Sequence, residues 1–190
     1  MSTKSNKQKH ENQSNLSMRT MAVIFISISG FLFHEGFAQT NSDSAQIAEF
    51  LRGKNYRAIK LEKYPTGHLV TRVKLNGVKG LFILDTGAGA TIVENERKDK
   101  FLLSIQSDTI KAYGAGGSSM AVQTSAGNTL ELDGDYKEKD FTLKLISLEN
   151  VNGALRRLKL DEVDGIIGAD ILTQRSALID YKNLVLYLKL

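Results

Sequence analysis

Cysteine and tryptophan are absent from the 190 residues, proline occurs once and histidine three times. Without cysteine there is no disulfide, no thiolate nucleophile, no thiolate metal site and no lipid-modified cysteine at an export cleavage site. Two histidines, His10 and His34, sit near the N-terminus, which leaves His68 alone in the body of the chain. One imidazole cannot build a histidine zinc site, and no serine elbow motif accompanies it, so zinc and serine-triad hydrolysis are both disfavoured. Its setting, Thr66-Gly67-His68-Leu69-Val70, predicts a solvated residue at the entry to a strand. Basic and acidic residues nearly balance, 25 against 21. No Lys/Arg cluster is interleaved with aromatics, so no nucleic-acid partner is expected. Hydrolysis in this chain would have to run on carboxylates.

The N-terminal residues have the pattern of an export signal. Arg19 and the lysines before it form a basic region, Met21 to Phe33 an apolar one, and Gly36-Phe37-Ala38 offers small residues for cleavage. Residues 1–38 are therefore expected to be a signal peptide cut near Ala38, with the product periplasmic or secreted. Met18 is an alternative start, and an uncleaved anchor is the alternative fate. The apolar stretch is short for a membrane span, and none is expected in the mature chain. Removing 38 of the 190 residues leaves 152 and lowers the formal charge from +4 to +2, enough for one domain with a core of its own. Residues 39–55 are expected to be an N-terminal helical segment and 56–190 the domain. Within the former, Ser42 to Lys54 predicts an amphipathic helix with Ile47, Phe50 and Leu51 on one face.

From Tyr56 the apolar period moves towards two. Strands are predicted over Ala58–Leu61, Leu69–Leu75 and Val78–Leu84, with Asn76-Gly77 as a tight primed turn. The last of these delivers Asp85 into the loop Asp85-Thr86-Gly87-Ala88-Gly89-Ala90, after which Thr91-Ile92-Val93 resumes a β-branched run. Flanked on both sides by core-grade sequence, this loop is expected to lie deep, and a buried carboxylate needs a reason. Glu94 to Lys100 and Arg156 to Asp161 are expected to be charged surface segments. Two strands flank the Gly/Ser-rich tip Gly114 to Ser119. Thr129–Leu132 and Phe141–Leu148 predict a further hairpin across a solvated turn, Asp133 to Asp140, whose spacing lacks the calcium-loop pattern. Val163 to Gly168 predicts an inner strand and Ala169 to Gln174 a short helix, with Asp170 in its first turn, where the helix dipole favours negative charge. Ala177 to Leu190 predicts two strands joined at Asp180–Asn183.

Asp85-Thr86-Gly87-Ala88 resembles the active-site loop of aspartic proteases, in the form carried by the half-sized retropepsins. Ile166-Ile167-Gly168 resembles the segment that passes beneath that loop, and Ile110 to Val122 resembles the flap that closes over substrate. The resemblance implies a mainly all-β fold, a retropepsin-like closed barrel or sandwich with a flap hairpin and one or two short helices. It implies a catalytic Asp85, a loop shaped by Thr86, Gly87 and Ala88, flap residues Tyr113, Gly114, Gly116 and Gly117, and support from Ile166, Ile167 and Gly168. Neither metal nor other cofactor is implied, and the substrate would be a peptide or protein. Two carboxylates are needed for this chemistry and the chain has one such loop, so a homodimer is implied. Ala88 stands where many two-lobed relatives carry a hydroxyl donor, which implies activity in the weakly acidic to near-neutral range. Retroviral members follow the inner-strand glycine with Arg-Asn; here it is Ala169-Asp170, so their dimer-locking ion pair is not inherited. Leu184–Leu190 either joins a sheet shared by two subunits or closes its own. A non-catalytic peptide-binding module and a dimerising interaction domain on the same fold remain the alternatives.

Overall fold

The computed structural model describes residues 43–106, 110–113, 119–133 and 136–190. The expected leader and the tip glycines Gly114, Gly116 and Gly117 lie outside the described residues. The chain divides into two units, 1–49 and 50–190. Of the first, the described residues are helical and open α1 (43–53). Leu51 of this helix is buried, but Ile47 and Phe50 are exposed. The apolar face expected of all three therefore reduces to one residue.

The second unit begins with β1 (Tyr56–Lys60), β2 (Glu62–Lys63), β3 (Leu69–Leu75) and β4 (Val78–Leu84). β3 and β4 form the predicted hairpin, and Asn76 and Gly77 both take positive φ, 50° and 83°. That is the backbone a two-residue primed turn demands, which is why an Asn-Gly pair stands there. β5 (Ile92–Glu94), a 3-10 turn (Asn95–Arg97), β6 (Ile110–Tyr113), β7 (Ser119–Leu132) and β8 (Tyr136–Ile146) follow. Next come α2 (Glu149–Arg157), β9 (Gly165–Ile167), α3 (Ala169–Gln174), β10 (Leu178–Asp180) and β11 (Val185–Lys189).

Six strands close into a barrel in the order β3-β4-β9-β5-β8-β7, with β7 returning to β3 through Val73↔Leu132, Lys74↔Glu131 and Leu75↔Leu130. Closure removes the edges that an open sheet of this size would expose. β1, β11 and β10 make a separate three-stranded sheet with β11 in the middle. One apolar core joins the two, since Leu75, Leu130, Leu143, Leu145 and Ile167 of the barrel cluster with Ile59, Leu186 and Leu188 of the small sheet. Phe101 stacks edge-on to Phe82 at 6.2 Å between ring centres, filling the space beside Gly80. A smaller cluster, including Val70, Ile83, Leu155, Val163 and Ile166, lies beneath α2.

Two sequence expectations change. The solvated turn expected over Asp133–Asp140 is mostly strand, because β8 starts at Tyr136, which pairs with Leu132. Tyr136 and Glu138 are buried there. Burial raises the Tyr136 phenol well above its ordinary value, and the adjacent Glu138 carboxylate raises it further. Glu94 is not a surface residue either: it ends β5, is buried, and accepts a hydrogen bond from the Leu148 N–H. The charged segment expected over Arg156–Asp161 does lie at the surface, but α2, which was not predicted, runs into its start. It buries Leu155 and Asn152, and the Asn152 amide clips Val163 by bonds of 2.9 and 3.0 Å.

Candidate active site

Asp85 stands at the end of β4, where the strand leaves the barrel. Its own N–H donates to the Ile167 carbonyl at 3.1 Å, the last rung of a ladder in which β4 runs parallel to β9. β9 also pairs antiparallel with β5 through Ile92↔Ile166 and Val93↔Gly165. The strands entering and leaving the Asp85 loop are therefore both hydrogen-bonded to Gly165–Ile167, which runs between them. Ile166 and Ile167 are buried in this position.

The loop is then fastened at three points. Gly87 N–H donates to the Asp85 carboxylate Oδ1 at 2.8 Å, and a side chain at position 87 would bring Cβ to 3.2 Å from that oxygen. Ala88 N–H donates to the Asp85 carbonyl, and the Ala88 carbonyl accepts from Ala169 N–H at 2.7 Å. Gly168 passes so close to the loop that a Cβ there would lie 2.4 Å from backbone atoms of Ala90. Only glycine fits such an approach.

A fourth fastening was not assigned from sequence. Thr91, fully buried, donates its N–H and its hydroxyl to the two oxygens of Asp170, each at 2.8 Å. Its hydroxyl also accepts from Gly168 N–H at 3.2 Å, and Asp170 Oδ1 accepts from Ile171 N–H. Asp170 thus does more than complement the helix dipole: it ties the far end of the loop to the start of α3. Behind β9, Asp164 plays a similar part. It accepts from Leu81 N–H at 3.0 Å and from Lys100 Nζ at 2.6 Å, with the Arg97 guanidinium at 3.5 Å.

Deep burial, expected from the flanking sequence, does not occur within one chain: Asp85 is half-buried, and Thr86 and Gly87 are exposed. Both flanking strands are buried, but the loop itself turns outward at the barrel's rim. Asp85 and Thr86 line a hollow of about 330 Å³ with Thr66, His68, Ile179 and Tyr181. Thr86 and Ile179 also line a neighbouring hollow of about 370 Å³ with Leu172 and Ala177. A larger cavity, about 740 Å³, is walled by charged residues including Arg72, Lys79, Glu131 and Glu162 and contains none of the loop residues. Its size does not make it the site, because Glu131, Glu162 and Asp164 of its wall are drawn into ion pairs with Lys137, with Arg97 and Arg156, and with Lys100 and Arg97. His68 is exposed and hydrogen-bonded to Thr66.

The backbone of Tyr113 pairs with Ser119, the rung of the β6–β7 hairpin nearest its tip. The tip, with Gly114, Gly116 and Gly117, lies outside the described residues. Among the described residues, no group of His, Asp and Glu is arranged to hold a metal ion, and no helix is long and apolar enough to cross a membrane.

A family profile described as aspartyl protease matches residues 71–171, more than half of the chain. The match runs from β3 through the Asp85 loop, the β6–β7 hairpin and β9 into α3. No curated protein matches in a sequence search. Among solved structures, a retropepsin-like aspartic protease from Rickettsia conorii is similar at 17% identity and a TM-score of 0.48, over 70% of this chain and 98% of that one. The retroviral protease-like domain of Ddi1 from Leishmania major is similar at 18% identity and a TM-score of 0.45, over 64% and 87%. The EIAV protease in complex with the inhibitor HBY-793 gives 18% identity and a TM-score of 0.44, over 63% and 99%.

Proposed function

Because the chain belongs to the aspartyl protease family, we propose that it is an exported endopeptidase whose reacting groups are two Asp85 carboxylates, one from each copy of a homodimer. The observation that carries this reading is the Asp85 loop itself. Its carboxylate is aimed by the Gly87 N–H, its backbone is locked to β9 and α3, and its outer face is left open. A rigid, half-exposed carboxylate at a barrel rim suits chemistry better than packing.

In this reading one Asp85 is ionised and takes a proton from water as that water attacks the peptide carbonyl. The other, protonated, donates to the carbonyl oxygen, and a proton then passes to the leaving nitrogen. Two carboxylates a few ångströms apart share one proton because like charges that close cannot both ionise. Thr86, exposed beside Asp85, is placed to bond the second loop and hold the carboxylates coplanar. The substrate is an extended peptide, held by main-chain hydrogen bonds beneath the β6–β7 hairpin. Ala88 offers the carboxylates no hydroxyl, and activity is expected in the weakly acidic to near-neutral range. Export follows from the basic-apolar-small pattern of residues 1–38.

The test is cleavage of a diverse peptide mixture from pH 3 to 8 by the wild-type protein and by Asp85→Asn, over a range of protein concentrations. Cleavage that depends on Asp85 and whose specific activity rises with concentration supports the reading. Turnover that survives Asp85→Asn refutes it.

A further inference from the structure

We propose that the charged cavity of about 740 Å³ beside the β3–β4 hairpin is a second binding site, one that holds a short peptide by its two charged ends. The peptide's carboxylate sits on Lys74 and Lys79, and its ammonium group on Asp133 and Asp161. None of the Asp85 loop lines this cavity, so binding here is independent of what Asp85 does.

Strand pairing builds the cationic wall. Lys74 of β3 and Lys79 of β4 are directly opposed across the hairpin, so their side chains stand on one face, and Arg72 stands on that face two residues along β3. Like charges directly opposed in an antiparallel pair are destabilising. Neither lysine has an ion-pair partner among the described residues to relieve this. On its other side Lys74 is opposed to Glu131 of β7, but that carboxylate is bound to Lys137 at 2.5 Å. Arg72 reaches only Glu62, at 3.5 Å and with both side chains largely exposed, a pair of little worth. An anion shared by the two lysines turns their repulsion into a joint attraction.

The remaining wall is acidic, and most of it is already engaged. Glu162 binds Arg97 and Arg156, and Asp164 binds Lys100 and Arg97. Asp133 and Asp161 also line the cavity, and neither has an ion-pair partner among the described residues. Asp133 stands where β7 parts from β3: Leu132 still pairs with Val73, and the next residue turns away with a φ of 49°. Unmatched charges of both signs therefore share one cavity. A pure anion would meet Asp133 and Asp161, and a pure cation would meet the lysines. A zwitterion satisfies both. The volume lies within the range of about 300–1,000 Å³ that holds drug-sized ligands, and three extended residues place their end charges about 10 Å apart.

The test is isothermal titration calorimetry of trialanine into the full-length protein at low salt, with the N-acetylated and the C-amidated tripeptides as comparisons. Removing either end charge should weaken binding about 10-fold or more, the loss of one hydrogen-bonded charge. Lys74→Gln/Lys79→Gln and, separately, Asp133→Asn/Asp161→Asn should each weaken trialanine by at least the same factor. Lys98→Gln, an exposed lysine outside the cavity, and Asp85→Asn should leave its affinity unchanged. Because the opposed lysines repel each other in the unliganded protein, Lys74→Gln/Lys79→Gln should also melt at no lower a temperature than the wild type, so that its loss of binding is not a loss of fold. Binding that is absent up to about 10 mM peptide, that survives both double substitutions, or that requires Asp85 overturns the site. Binding undiminished by acetylation overturns the part given to Asp133 and Asp161, and binding undiminished by amidation overturns the part given to the lysines.

Discussion

Replacing Gly168 by alanine tests whether the support beneath the loop sets the position of Asp85. An added Cβ would lie 2.4 Å from the carbonyl carbon and oxygen of Ala90 and 2.9 Å from the Ala88 carbonyl, where real Cβ contacts essentially never fall below 3.0 Å. All three atoms are backbone, so no rotamer change relieves the overlap, and the loop must retreat by about 1 Å to restore ordinary contact. Overpacking of this kind costs about 1–3 kcal/mol. The bonds Ala169 N–H to Ala88 and Gly168 N–H to Thr91 would stretch with it, at about 1 kcal/mol each. A loss of about 3–5 kcal/mol lowers Tm by roughly 6–20 °C for a domain of this size. A reacting group displaced by about 1 Å loses on the order of 100-fold in rate. The assay pairs thermal unfolding with peptide cleavage, and Gly89→Ala in the same loop is the control, since nothing lies within 4 Å of a Cβ there. If Gly168→Ala melts and cleaves like Gly89→Ala, the loop is not positioned by β9 and the reasoning fails.

Thr91→Val keeps the shape but strips Asp170 of a donor and Gly168 N–H of its acceptor; it should cost about 1–3 kcal/mol in urea unfolding, with little change if the side chain is replaced by serine. Arg175→Leu leaves the buried Glu138 without the guanidinium that binds it at 2.6 Å, and chemical denaturation should show a loss of about 3–5 kcal/mol. In the same cluster the Tyr136 phenol is raised above its ordinary value, first by burial and then by Glu138. The folded state therefore holds that proton more tightly than the unfolded chain. Its contribution to stability is complete below about pH 10, the ordinary phenol range, and is lost as pH rises beyond it. Urea titrations from pH 8 to 11 should show this alkaline decline in the wild type and a shallower one in Tyr136→Phe.

The strands around Asp85 were legible because each signal is local: an apolar run, an Asn-Gly turn, a glycine closing a second apolar run. Exposure of the loop was not. Apolar residues before and after it read the same whether the loop is covered by its own fold or left at a rim. The start of β8 was hidden for a different reason. Tyr136, Lys137 and Glu138 do alternate inward and outward, but the inward carboxylate makes the segment look solvated. Its partner, Arg175, lies 37 residues away, beyond any local window. α2 was masked by Asn152 and Gly153, poor helix formers, though Asn152 is needed there to clip Val163. Asp170 carried a correct local signal, a carboxylate in a helix's first turn, but its bonds to Thr91 span 79 residues. Sequence periodicity has no access to that distance.

The pairing of β1 with β11 also fixes a schedule. Asn55 and Leu190 are hydrogen-bonded neighbours separated by 135 residues. At about 5–20 residues per second, β1 waits roughly 7–27 s after its synthesis before its partner strand exists. The barrel's β3–β4 hairpin can form early from contacts close in sequence, but the small sheet waits for strands far apart in sequence. β10, which among the described residues pairs with β11 alone, is held to the same clock.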